Sequence, residues 1–167
     1  VVAAAAALTA CSSTNEAVNQ ALIEGAVGGI VAADCKIGRM TYWAANATVP
    51  VYEISFRIVM TNVSSKPVTL SGDNFATTLD GTPIPPFNFS ARDVGDADIW
   101  RTYDSLTIRP GEERSIALAY EISQPTYDSW YKSSRTVAVS FTCGNQRVTY
   151  TKNSRSDEIT VSDIETL

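Results

Sequence analysis

Between residues 50 and 62 the chain reads PVYEISFRIVMTN, and this run narrows the choice of fold most. Tyr52, Ile54, Phe56, Ile58 and Met60 fall on one phase of a two-residue period. Val51, Glu53, Ser55, Arg57 and Val59 fall on the other, which is mostly polar. Successive side chains of a strand point to opposite faces, so the run predicts a strand with one buried and one wetted side. A helix would place Glu53 and Arg57 on the face of Met60 and fits worse. Such a strand needs antiparallel partners with matching apolar faces.

Composition excludes several kinds of chemistry. The chain has 167 residues, enough for one domain with a core and a short extension. Its formal net charge is −5, and its 13 Lys and Arg are scattered rather than gathered into a basic stripe, so no nucleic-acid partner is expected. There is no histidine, which removes His-based triads, His metal ligands and the usual proton shuttle near neutral pH. Serines are plentiful, but there is no histidine to activate one. The reading is a non-enzyme that needs no cofactor.

The first ten residues, VVAAAAALTA, read as the end of a signal-peptide apolar region with cleavage before Cys11. Leu8-Thr9-Ala10-Cys11, followed by Ser12-Ser13-Thr14-Asn15, resembles the lipobox of bacterial lipoproteins. That resemblance implies lipid attachment at Cys11, export, and a place in the cell envelope anchored to a membrane. The predicted organisation is therefore signal end at 1–10, tether at 11–33 and folded domain at 34–167. Ser13 and Glu16 form a candidate capping box for a short helix in the tether, and 26–33 (AVGGIVAA) is a loose strand or an edge cover. With Cys11 acylated, Cys35 and Cys143 remain, and an exported chain is expected to join them as a disulfide. Two free thiols serving a redox or metal site is the alternative, but the further ligands or Cys-x-x-Cys spacing it needs are missing.

From Asp34 onward, strand signals follow one another. Residues 35–43 form a first strand with a bulge at Gly38. Asp80-Gly81 marks a hairpin, and Arg109-Pro110-Gly111-Glu112 a turn. Residues 115–122 alternate cleanly, with Ile116, Leu118, Tyr120 and Ile122 inward. Val137, Val139, Phe141 and Cys143 share a phase, and Gly144-Asn145 turns the chain back. Residues 88–98 read as a long acidic loop and 124–134 as a loop bearing aromatics. Eight or nine short strands and no long helix predict an all-β fold: an immunoglobulin-like antiparallel β-sandwich with a short N-terminal helical or extended tether. The segment Asn62-Val63-Ser64-Ser65-Lys66-Pro67 after a strand, with Phe75 and Asp80-Gly81, is similar to the telokin-like immunoglobulin modules of bacterial lipoproteins. So is Ile108-Arg109-Pro110-Gly111-Glu112 before an alternating strand. The resemblance covers about residues 35–150, implies the sandwich fold, and assigns no activity.

Two loops stand out as candidate sites. Asp93, Asp96 and Asp98 offer carboxylates to a hard cation such as calcium, but they lack the longer pattern of an EF-hand loop, so no metal is expected. Tyr127, Trp130 and Tyr131, near Trp100 and Tyr103, form a candidate recognition surface for a protein or glycan partner in the envelope, with Trp130 as its anchor. The leading expectation is a lipid-anchored envelope protein that binds or supports another envelope component. The alternative is a subunit of an extracellular filament or envelope assembly, in which residues 17–33 complete a neighbour's sheet.

Overall fold

A computed structural model describes residues 25–93 and 99–167. Thirteen strands run in the order β1 (Ile30–Tyr42), β2 (Val51–Asn62), β3 (Val68–Leu70), β4 (Phe75–Leu79), β5 (Thr82–Ile84), β6 (Asn88–Asp93), β7 (Arg101–Thr102), β8 (Leu106–Ile108), β9 (Glu113–Glu121), β10 (Thr136–Cys143), β11 (Gln146–Asn153), β12 (Thr160–Val161) and β13 (Glu165–Thr166). One five-residue helix, α1 (Gln124–Asp128), lies between β9 and β10. The strands build two larger antiparallel sheets, ordered β1-β2-β9-β6-β7 and β12-β11-β10-β4-β5, with β13 also on β11 and a separate β3-β8 pair. This is the antiparallel β-sandwich predicted from the alternation. It contains more strands than expected because several have only two or three residues.

The core lies between the inner faces of the two sheets. Ile54, Phe56, Ile58 and Met60 of β2 and Ile116, Leu118 and Tyr120 of β9 are all buried, as the two-residue phase requires. They face Val137, Val139 and Phe141 of β10, Val148 and Tyr150 of β11, and Phe75 of β4. Phe56 lies 6.1 Å from Phe75 and 5.8 Å from Tyr150, and Phe75 lies 5.1 Å from Phe141, centroid to centroid. Tilted ring pairs at these distances add to the stabilisation from buried area.

The turn after β2 and the turn before β9 meet at Asn62, which is completely buried. Its Nδ2 donates to the carbonyls of Lys66 (2.8 Å) and Ile108 (2.9 Å). Its Oδ1 accepts from the Ser64 amide (2.9 Å) and the Ser64 hydroxyl (2.7 Å). The Asn62 carbonyl in turn accepts from the Gly111 amide at 2.8 Å. Gly111 has φ of 77°, which glycine adopts without a Cβ clash. Glu112 closes that turn by accepting the Arg109 amide at 2.8 Å.

Several expectations need correction. The irregular register of β1 lies between Ala33 and Lys36, whereas Gly38 pairs regularly with Ser55. The folded domain begins before residue 34, since Ala26 and Val27 are buried and β1 starts at Ile30. Residues 88–93 form a strand rather than a loop, because Phe89 and Ala91 point into the core and the run pairs with β9. Cys35 and Cys143 are free thiols. Cys143 sits at the turn end of β10, its Sγ 3.8 Å from the Gly28 carbonyl. Cys35 stands five residues into β1 from Ile30, whereas Cys143 touches Gly28 just before that strand begins. Five extended residues span about 16 Å, more than twice the Cα separation a disulfide tolerates. Burial raises both thiol pKa values, that of Cys35 to about 12, so both are held as unreactive thiols. Residues 1–24, with the lipobox match at Leu8–Cys11 and the capping box, lie outside the described residues.

Candidate functional site on the outer face of the five-stranded sheet

The loop aromatics do not form the expected surface. Trp130 is 1% exposed and part of the core, and its carbonyl accepts the Ser154 hydroxyl. Tyr127 and Tyr131 are drawn back against β1: the Arg39 guanidinium lies 4.3 Å and 4.8 Å from their ring centroids and donates to the Tyr127 carbonyl. Tyr127 also packs 5.0 Å from Tyr52. Helix α1 and the turn after it therefore close one end of the sandwich, and only Tyr131 stays exposed. The acidic positions are not assembled either. Asp93 pairs with Arg114 at 2.9 Å, Asp96 and Asp98 lie outside the described residues, and no cluster of three acidic or Cys ligands occurs among those described.

A different site emerges from the register of β1, β2, β9 and β6. Antiparallel pairing aligns their outward side chains in rows across the sheet. One row is Met40, Glu53 and Glu121. The next is Gly38, Ser55, Ala119 and Asn88. The third is Lys36, Arg57, Ala117 and Ser90. The middle row is almost bare: a Cβ added at Gly38 would meet no atom within 4 Å. The small side chains of Ser55, Ala117, Ala119 and Ser90 thus floor a trough of about 250 Å³, with Met40, Tyr42, Glu53 and Phe87 on one side and Arg57 and Trp100 on the other. Arg57 and Arg92 stack on Trp100 at 5.5 Å and 4.9 Å. Trp100 is thereby turned into a wall of the trough rather than a core residue.

The two walls differ in charge. Glu53 and Glu121 face each other directly across β2 and β9, and Lys36, Arg57 and Arg92 occupy the opposite side. Glu53, expected on the wet face, is 3% exposed and makes no hydrogen bond or ion pair among the described residues. Asn88 lines the same trough, and its Oδ1 is buried without a hydrogen-bond partner. Burial, and then the Glu121 charge, raise the Glu53 pKa. Burial followed by the Glu53 and Glu121 charges raises that of the Tyr42 hydroxyl. No motif marks this site in the sequence. The only trace is the run of small residues Ser115, Ala117 and Ala119 on the outward phase of β9.

The position of Glu53 has a measurable consequence. A carboxyl with a raised folded-state pKa binds its proton more tightly folded than unfolded, so folding gains stability as pH falls through that pKa and loses it above. Glu53→Gln should therefore raise the folding stability at pH 7 by about 0.5–1 kcal/mol from relief of the like-charge opposition alone, seen as a higher melting temperature. The advantage should shrink as pH falls toward 4.5, the ordinary value for the group. Thermal unfolding of both forms across that range measures it.

A second recess of about 480 Å³ is lined by Val27, Ile30, Val31, Val148, Tyr150 and Ile164, among others, and is mainly apolar.

No protein-family model and no curated protein matches the sequence. Among solved structures, the chain is similar to the yjhA protein of Bacillus subtilis, with 16% identity over 68% of this chain and 73% of that one and a TM-score of 0.42. It is also similar to an uncharacterized β-sandwich protein of Clostridium difficile 630, with 15% identity over 74% and 83% and a TM-score of 0.44. A protein of Archaeoglobus fulgidus shares 12% identity over 80% and 98%, with a TM-score of 0.35.

Proposed function

We propose that this protein is a binding module of the cell envelope, exported and held at a membrane by lipid on Cys11, which captures another envelope component in the trough of its five-stranded sheet. The burial of Glu53 carries the reading. A carboxylate that keeps little contact with water and has no partner among the described residues costs stability, and a sheet face that serves only to contact solvent has no use for it. Open concave sites with a few convergent polar groups and perturbed pKa values are where ligands bind. The lipobox resemblance at Leu8–Cys11 supports the location. Residues 30–33 of the segment considered for strand donation pair with residues 59–62 of the same chain, so that part already completes its own sheet.

Two measurements test the proposal. In cells fed an azide-bearing fatty acid, label should enter the protein at Cys11 and disappear in Cys11→Ser; an unlabelled protein overturns the anchor. Ser55→Trp fills the trough without entering the core. Measured in the Cys11→Ser background, where no lipid holds the chain, it should reduce retention on isolated envelope fragments by tenfold or more, about 1.4 kcal/mol. Equal retention of the two forms overturns the trough as the binding surface.

A further inference from the structure

Resting on the trough as a binding surface, we infer that its acidic wall is built to take a primary ammonium group at the end of an alkyl chain, such as a lysine side chain. The polar groups that lack partners here are acceptors. The Glu53 residue is 3% exposed and its carboxylate is unpaired among the described residues, and the Asn88 Oδ1 is buried without a hydrogen-bond partner on the same floor. Glu121 opposes Glu53 across the ladder and doubles the negative charge at that point. A buried charge is stabilised by an opposite charge that also donates hydrogen bonds; Asn88, on the far side of β9 and one row along, is a separate acceptor on the same floor.

An –NH₃⁺ group supplies three N–H donors with one positive charge, so it answers both the charge and the hydrogen-bonding needs of the Glu53 carboxylate. A quaternary ammonium carries the charge but no N–H, so it would leave the Glu53 oxygens without a hydrogen bond. A neutral sugar supplies donors but no charge for Glu53. A divalent cation requires more oxygen ligands than this wall holds, and no cluster of three acidic or Cys ligands occurs among the described residues. Tyr42 and Phe87 line the same wall, and Phe87 is 53% exposed. Their rings offer an apolar surface to the alkyl stem and a negative face to the cation. The basic side of the trough, four residues along β2 at Arg57, lies about 13 Å away, so the cation would enter from the Tyr42 and Phe87 side.

The test is a titration of the isotope-labelled full chain, followed by amide chemical shifts, with Nα-acetyl-lysine methylamide. Its Nε-acetylated form, which keeps the stem and loses the charge, is the comparison. Saturable shifts centred on Ser55, Asn88 and Ala119, at least tenfold weaker for the acetylated probe and for Glu53→Gln, support the inference. Glu53→Gln keeps the shape of the trough and is expected to fold at least as stably, so its loss of binding reads the charge. Equal affinity for the two probes overturns the ammonium assignment, as do shifts that avoid the trough. If Ser55→Trp abolishes retention on envelope fragments while the lysine probe causes no shift, the ligand class is wrong and the trough reading stands. If Ser55→Trp leaves retention unchanged, the trough reading itself fails.

Discussion

Phe56→Ala should cost about 3–5 kcal/mol of folding free energy, the range for deleting a fully buried phenylalanine ring. Phe56 is completely buried at the centre of β2 and bridges the two sheets. It meets Phe75 of β4 and Tyr150 of β11 across the sandwich, and its strand pairs with β1 on one side and β9 on the other. A cavity there cannot close by moving one loop, because hydrogen-bonded ladders fix the backbone on both sides. The loss should appear as a lower midpoint in urea with an unchanged slope. A change within about 0.5 kcal/mol would mean the ring is not part of the core.

The second large effect is expected at Trp130. Its side chain is 1% exposed and among the largest that are fully buried. Trp130→Ala should also cost about 3–5 kcal/mol. The loss would fall on the end of the sandwich closed by α1, where Arg39, Tyr127, Tyr52 and Ser154 converge. Denaturant unfolding measures the stability. A variant that keeps its stability but loses retention on envelope fragments would instead return Trp130 to a binding role.

The alternating strands were legible because alternation is a property of the backbone itself. β2, β9 and β10 bury the residues that their two-residue phase assigns to the inside. The polar phase was less informative. Glu53 shares its recess with Tyr42 and Phe87, which come from different parts of the chain, and no local pattern reports what neighbouring strands will bring beside it. β6 was hidden because Asn88–Asp93 carries just Phe89 and Ala91 as inward apolar residues and runs on into acidic residues. The helix that positions Trp130 did leave a local signal: Ser123 accepts from the Thr126 amide as N-cap, and Pro125 stands in the first turn. For the cysteines, the inward phase of Cys143 was read correctly. Pairing also required knowing how far apart two positions lie along facing strands, which depends on register.

The joint at Asn62 links two stretches that lie 46 residues apart at the Ile108 carbonyl. The turn carrying Asn62, Ser64 and Lys66 and the turn carrying Arg109, Gly111 and Glu112 each supply backbone groups that the other satisfies. They behave as two halves of one clasp. A chain that loses the asparagine side chain leaves the Lys66 and Ile108 carbonyls without their donor, while the Gly111 amide keeps its backbone acceptor; grafting one turn alone into another sandwich would separate groups that satisfy each other. The pair, searched for together at a variable spacing, is thus a more discriminating signature of this arrangement than either short motif by itself.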